Sequence, residues 1–152
     1  MCILYNRNLL QQKSVCFDTE TTSLDALSAE IVGIAFSWEE SKGYYLVLPE
    51  NKDEILAILK PFRAFFEHTE IEKIGHNLKY DLKVLKNYNI NVNAPLFDTM
   101  IAHYLINPDM RHNMDILAET YLDYNPQSIK ELIGKKGVNQ GSMRDVSIEK
   151  QT

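Results

Sequence analysis

The sequence predicts an α/β fold, a mixed sheet of about five strands flanked by helices, and three observations predict it. Three segments rich in β-branched and aromatic residues follow one another between residues 14 and 48. Beyond them the apolar spacing changes from the alternation of strands to the period of helices. A further strand-like segment then sits between two helical stretches. Strands joined by short polar links pair antiparallel, whereas a strand reached through a helix adds in parallel, so the sheet begins as a meander and ends parallel.

Taken in order, "SVCFDT" (14–19), "EIVGIAFSW" (30–38) and "GYYLVL" (43–48) are the three consecutive strands. Ile55, Leu56, Ile58, Leu59, Phe62, Phe65 and Phe66 recur at helical spacing, and Pro61, which cannot donate a backbone hydrogen bond, kinks or divides that helix. "IEKIGH" (71–76) is a brief strand, and the next helix runs from about Leu78 to Tyr88 with Leu78, Leu82 and Leu85 on one face. Asp98 reads as the N-cap of "TMIAHYLI", "NMDILAETYL" as a further helix and "QSIKELIG" as a short one ended by Gly134.

The 152 residues, 45% hydrophobic, suit one domain spanning 1–152 with a real core. Five Pro and six Gly are scattered, and no repeat or low-complexity tract interrupts the chain. The longest apolar runs, "EILAIL" and "GYYLVL", fall far short of the roughly 20 residues of a membrane span. "MCILYNRN" is broken too early, at Asn6, Arg7 and Asn8, to be a signal-peptide core. The expectation is a cytoplasmic protein without membrane association, with Cys2 and Cys16 as free thiols. A net charge of −5 argues against a broad electrostatic grip on nucleic acid. Basic residues nevertheless gather as Lys73, Lys79, Lys83 and Lys86, and again as Lys130, Lys135, Lys136 and Arg144, which solvated helix faces would also explain.

"VCFDTETTSL" (15–24) places Asp18 and Glu20 at the end of a strand that opens apolar on both faces. Alternation puts Cys16, Asp18 and Glu20 on one face and Val15, Phe17 and Thr19 on the other, and apolar character on both sides is the mark of a central strand. Two neighbouring carboxylates there repel and lose hydration, and no basic residue follows closely, so a hard divalent cation is one way to neutralise them. The other is that the strand stops at Asp18 and both acids are solvated in a turn. In "GHNLKYDLKVL" (75–85), Asn77 and Asp81 are four apart and share a helix face; Asp81 also has local partners in Lys79 and Lys83.

Taken together, "FDTET" and "NLKYD" resemble the first two motifs of the DEDD 3′–5′ exonucleases, in the form found in the proofreading domain of bacterial DNA polymerase I. "IGHNLKYDLKVL", "FDTMIAHYLINPDMRHNMDILAETYL" and "IGKKGVNQGSMRDV" extend the likeness in order and spacing from about Leu10 to Lys150. The resemblance implies a ribonuclease H-like fold and two divalent ions, Mg²⁺ or Mn²⁺, clamping the scissile phosphate. It implies that Asp18 is shared by both metals, that Glu20 holds the nucleophile-side ion and that Asp81 holds the leaving-group ion. By the same likeness Asn77 and Tyr80 flank the 3′ end of single-stranded DNA, Leu24 wedges against its terminal base, and Arg111 contacts a phosphate. It further implies a polymerase domain in the parent chain.

One departure stands out. The family's third motif, Tyr-x-x-x-Asp, supplies a fourth carboxylate and a hydroxyl that orients water, and none of the eight tyrosines here has Asp four residues on. His76 and Asp81 match a related spacing, but Asp81 already fills the second motif. These observations lead to the expectation of a C-terminally incomplete exonuclease domain with a weakened nucleophile-side metal and slow or absent cleavage of 3′ ends. The alternative is an inactive module of the same fold that binds single-stranded DNA or a protein.

Overall fold

The computed structural model describes residues 2–127, 129–134, 141 and 143–146. Helix α1 (Cys2–Leu9) leads into β1 (Ser14–Thr21), β2 (Ile31–Glu39) and β3 (Lys42–Val47). Next come α2 (Lys52–Leu59), a 3₁₀ turn (Lys60–Phe62), α3 (Arg63–Phe66), β4 (Glu72–Gly75), α4 (Leu78–Lys86) and β5 (Leu96–Asp98). Helices α5 (Thr99–Ile106), α6 (Met114–Leu122) and α7 (Ile129–Ile133) follow, then a 3₁₀ turn at Met143–Asp145.

The five strands form one sheet in the order β3-β2-β1-β4-β5. β1 pairs antiparallel with β2, and β2 with β3. β4 joins β1 in parallel, and β5 joins β4 the same way. The predicted mixed sheet is therefore present, with "VCFDTE" in its central strand. Two elements escaped the sequence reading. α1 occupies the segment weighed only as a leader, and β5 is a three-residue strand just before the Asp98 cap.

One face of the sheet carries the core. Val15 and Phe17 of β1 and Ile34 and Phe36 of β2 are buried there against Ile55, Leu59, Phe62, Phe65 and Phe66. Pro61 explains how so many phenylalanines reach the same place. It sits at the start of the 3₁₀ turn, dividing α2 from α3, so the chain rotates and Phe62 stacks on Phe36 at 5.8 Å while Phe66 meets Phe17 edge-on at 5.3 Å. Each such ring contributes roughly 1.5–3 kcal/mol by its burial. Asn51 fixes the start of α2, its side-chain oxygen accepting from the amides of Asp53 and Glu54 at 2.9 and 3.1 Å. Gly134, with φ of 86°, ends α7 in the left-handed region as its sequence position predicts.

Two expectations need correction. β1 is central, yet only its Val15–Phe17–Thr19 face is buried; Cys16, on the other face, is exposed and its thiol is free. The acids thus stand on the open side of the sheet, which is what a site reached by substrate requires. Lys73 was counted with a basic surface stretch, but it is fully buried. Its ammonium donates to the carbonyls of His68 and Asn93, and burial lowers its pKa. In the second basic stretch, Arg144 pairs with Glu30 at 3.4 Å; Lys135 and Lys136 lie outside the described residues. Among the described residues no helix is long and apolar enough to cross a membrane.

Candidate active site

β1 continues through Thr21, so Asp18 and Glu20 are strand residues rather than solvated turn residues. Their cross-strand partners on β2 are Ala35 and Gly33, the two smallest residues.

Asp81 arrives from the other direction. At the end of β4, Gly75 lets the chain turn tightly, because a Cβ there would lie 2.4 Å from Leu78 Cδ2 and 3.2 Å from the Phe17 carbonyl oxygen. Asn77 then adopts the left-handed conformation (φ 64°, ψ 44°) and α4 begins. Asp98, at the end of β5, holds this start in place. Its carboxylate accepts from the amides of Asn77 and Leu78 at 3.1 and 2.8 Å, and also from those of Met100 and Ile101 at 2.9 and 3.3 Å. One side chain thereby caps α4 and α5 together, where the sequence indicated α5 alone.

Set in the first turn of α4, Asp81 is 2% exposed and directed at β1. Its Oδ1 accepts from the Thr19 amide at 3.0 Å and the Thr19 hydroxyl at 2.5 Å. Asp18 and Glu20 both feel the charge of Asp81. Burial, then the charges of Asp81 and Glu20, push Asp18 up to about 7 from 3.8. Glu20 is raised by burial and by Asp81. Asp81 is also raised, burial outweighing the Thr19 hydrogen bonds that act the other way. Among the described residues no basic side chain is recorded as offsetting any of the three, and their ion pairs, Lys42–Glu39 and Arg144–Glu30, lie elsewhere.

Carboxylates half-buried at Asp18 and Glu20 and buried at Asp81, without a cationic partner among the described residues, have the chemistry of ligands for a hard divalent cation. Among the described residues no three His, Cys, Asp or Glu side chains are grouped closely enough to hold a metal ion, so Asp18, Glu20 and Asp81 are not gathered as one three-ligand cluster. Mg²⁺ and Mn²⁺ need few protein ligands, because water and substrate oxygens fill part of their shell.

The remaining sequence candidates fall around this centre in different ways. The Tyr80 hydroxyl bonds to the Thr21 hydroxyl at 2.5 Å and donates to the Ser23 carbonyl, pinning the loop that presents Leu24. Leu24 is 80% exposed on that loop, and Leu27, which the sequence reading passed over, is 77% exposed beside it. The Asn77 side chain caps nothing and faces solvent. Arg111 is exposed in the loop before α6, and no hydrogen bond or ion pair among the described residues joins it to the three acids. That loop is anchored by histidines the sequence reading missed: His76 bonds to the Thr99 hydroxyl at 2.9 Å and to the His112 carbonyl at 2.7 Å, and His103 meets His112 at 2.6 Å. Only the adjacency of His76 to "NLKYD" hinted at this.

A mixed five-stranded sheet with acids on the open face of its central strand is the ribonuclease H-like architecture of a class of nucleases. NrnC of Brucella melitensis, solved with bound Mg²⁺, superposes with a TM-score of 0.68 at 21% identity, over 86% of this chain and 62% of that one. Residues 5–152 match the family profile described as 3′-5′ exonuclease. DNA polymerase I of Borreliella burgdorferi is 37% identical over 149 residues, and that of Pseudomonas aeruginosa 33% identical over 153. These alignments cover 95% and 94% of this chain but 16% of each polymerase. The chain belongs to the 3′–5′ exonuclease family of DNA polymerase I.

Proposed function

We propose that this domain removes nucleotides from the 3′ end of single-stranded or frayed DNA, using divalent ions held by Asp18, Glu20 and Asp81. The observation that carries the reading is the pair of half-buried carboxylates on the open face of β1, Asp18 and Glu20, both raised by the charge of the buried Asp81, with no basic side chain among the described residues recorded as offsetting them. When bound, such ions supply Lewis-acid activation of water and neutralise charge at the scissile phosphate.

The chain's own residues do the positioning. Asp18 and Glu20 project from a rigid central strand, and Asp81 is locked to that strand through Thr19, so the oxygens that hold the cations are fixed before substrate arrives. Leu24, exposed on a loop tied down by Tyr80, offers an apolar surface for the terminal base, a contact indifferent to base identity. Asn77 flanks the 3′ end from the start of α4, and Arg111 supplies a phosphate contact from the loop anchored by His76. In the relatives this segment is a small part of a polymerase, which makes a polymerase domain a natural partner for the activity.

Timed digestion of one single-stranded oligonucleotide, labelled at its 5′ end, tests the reading. At most slow shortening from the 3′ end, in single-nucleotide steps, is expected with Mn²⁺, because no Tyr-x-x-x-Asp supplies a fourth carboxylate, and none is expected with EDTA. Shortening that EDTA leaves unchanged, or internal cleavage alone, would contradict it.

A further inference from the structure

A chain of hydrogen bonds separate from the three carboxylates holds the loop that carries Arg111. It starts at Asn107, at the end of α5, whose amide donates to the His103 carbonyl at 2.9 Å and whose Nδ2 donates to the Tyr121 hydroxyl at 3.0 Å. That hydroxyl lies 3.1 Å from His103 Nε2, and His103 Nδ1 lies 2.6 Å from His112 Nδ1. α5 buries His103 while leaving Ile101, Leu105 and Ile106 exposed, so an imidazole takes the inward place that an apolar side chain would ordinarily fill. A buried polar ring needs partners, and both of its nitrogens have one.

Counting protons gives the chain a direction. A neutral imidazole donates through one nitrogen and accepts through the other, and a hydroxyl has a single hydrogen. With Asn107 donating to the Tyr121 oxygen, the Tyr121 hydrogen goes to His103 Nε2, and His103 Nδ1–H donates to His112 Nδ1. Every donor in that sequence meets an acceptor, and both rings are neutral. The reverse order aims two donors at the Tyr121 oxygen and turns its hydrogen to solvent. From the other side His76 Nε2 donates to the His112 carbonyl, and His76 is the residue before Asn77, where α4 starts. His112, next to Arg111, is thus gripped by its ring and by its backbone.

We propose that His103 is a positioning residue for the substrate: in its neutral Nδ1–H form it fixes His112, and with it the neighbouring Arg111, relative to the turn that opens α4. His103 comes from α5, Tyr121 from α6 and His76 from the turn after β4, so the loop cannot shift without breaking one of these bonds. A loop ordered in advance loses less entropy when it grips a phosphate. The proposal rests on the reading of Arg111 as a phosphate contact and adds to it the side chains that hold that contact in place.

The test is binding of a fluorescein-labelled oligothymidylate by the whole chain in EDTA, followed by anisotropy from about 50 to 200 mM salt, with thermal melting alongside. One phosphate contact to a single strand contributes about 0.7 to the slope of log affinity against log salt. His103→Phe keeps a ring and removes both nitrogens; it is expected to weaken binding about tenfold and to lower the slope by about 0.7, as Arg111→Ala does. His103→Asn, whose amide still donates toward His112, should regain most of the loss. Tyr121→Phe, which removes one hydroxyl from an exposed ring, should lose about threefold. The Arg111→Ala and His103→Phe double variant should bind no worse than Arg111→Ala, because a contact already lost cannot be mispositioned. Wild-type affinity in His103→Phe, or weaker binding at an unchanged slope, while Arg111→Ala lowers both, would overturn the proposal and leave the phosphate contact standing. Where His103→Phe does not fold, Tyr121→Phe decides in the same way. Wild-type binding by Arg111→Ala, or a wild type without affinity for the oligonucleotide, would overturn the phosphate reading and this inference together.

Discussion

Asp18→Asn is expected to stabilise the metal-free domain at neutral pH while abolishing its response to Mn²⁺. In the folded chain Asp18 titrates at about 7 instead of 3.8. A raised carboxyl pKa means that the folded state binds the proton more tightly than the unfolded state. The contribution is therefore fully present below the ordinary carboxyl pKa and is lost as pH rises through about 7. At about 1.4 kcal/mol per unit, the penalty on ionised Asp18 is at most about 4 kcal/mol. Glu20 and Asp81 are shifted in the same direction and add to the loss. Asn keeps the shape without the charge. Melting temperature followed from pH 4 to 8 in EDTA should fall for the wild type and fall much less for the variant. Adding Mn²⁺ should restore the wild type alone. In the digestion assay the same variant should lose about 100-fold or more of any Mn²⁺-supported rate, since even an outer partner of a metal ligand costs 10–100-fold. A wild type whose stability is flat across this range would remove the electrostatic basis of the site.

The second large effect belongs to Asp98, which touches none of the proposed metal ligands. Its carboxylate is the shared cap of α4 and α5, and losing one cap costs about 1 kcal/mol, up to about 2. Asp98→Ala removes both caps and is expected to cost about 2–4 kcal/mol in urea unfolding. A small gain opposes this, because the Asp98 charge also raises Asp81, although it is the least of the causes acting there. Four lost hydrogen bonds outweigh one weak repulsion, so the net sign is destabilising. Asp98→Asn, which keeps one accepting oxygen, should fall between. Because α4 carries Asp81, Mn²⁺ affinity should fall as well. A variant as stable as the wild type would show that the two helix starts are held by other contacts.

What could be read from the sequence follows from the range of each interaction. β1 to β4 and α2 to α5 were legible because their signals are local: alternation, helical period, Pro61, and Asp98 as a cap. β5 was not, since three residues carry no period and Leu96–Asp98 is a strand only by pairing with β4. The open face of β1 was hidden for a related reason. Cys16 looks apolar, and nothing in its neighbours tells which side of the sheet lacks a covering helix. Asp18, Glu20 and Asp81 were nameable through motif resemblance, whereas Thr19, which fastens Asp81 to the strand, was assigned to the opposite face and passed over. Asp98's second role needs the packing of β5 beside β4.

The most direct test of the central claim, that these three acids form one cation site, is the anomalous difference map of a crystal soaked in Mn²⁺. A peak is expected within about 2.5 Å of an Asp18 carboxylate oxygen, with Glu20 or Asp81 supplying a second protein ligand and water completing the shell. Mn²⁺ bound elsewhere, or no peak at a concentration that saturates the thermal shift, would contradict it.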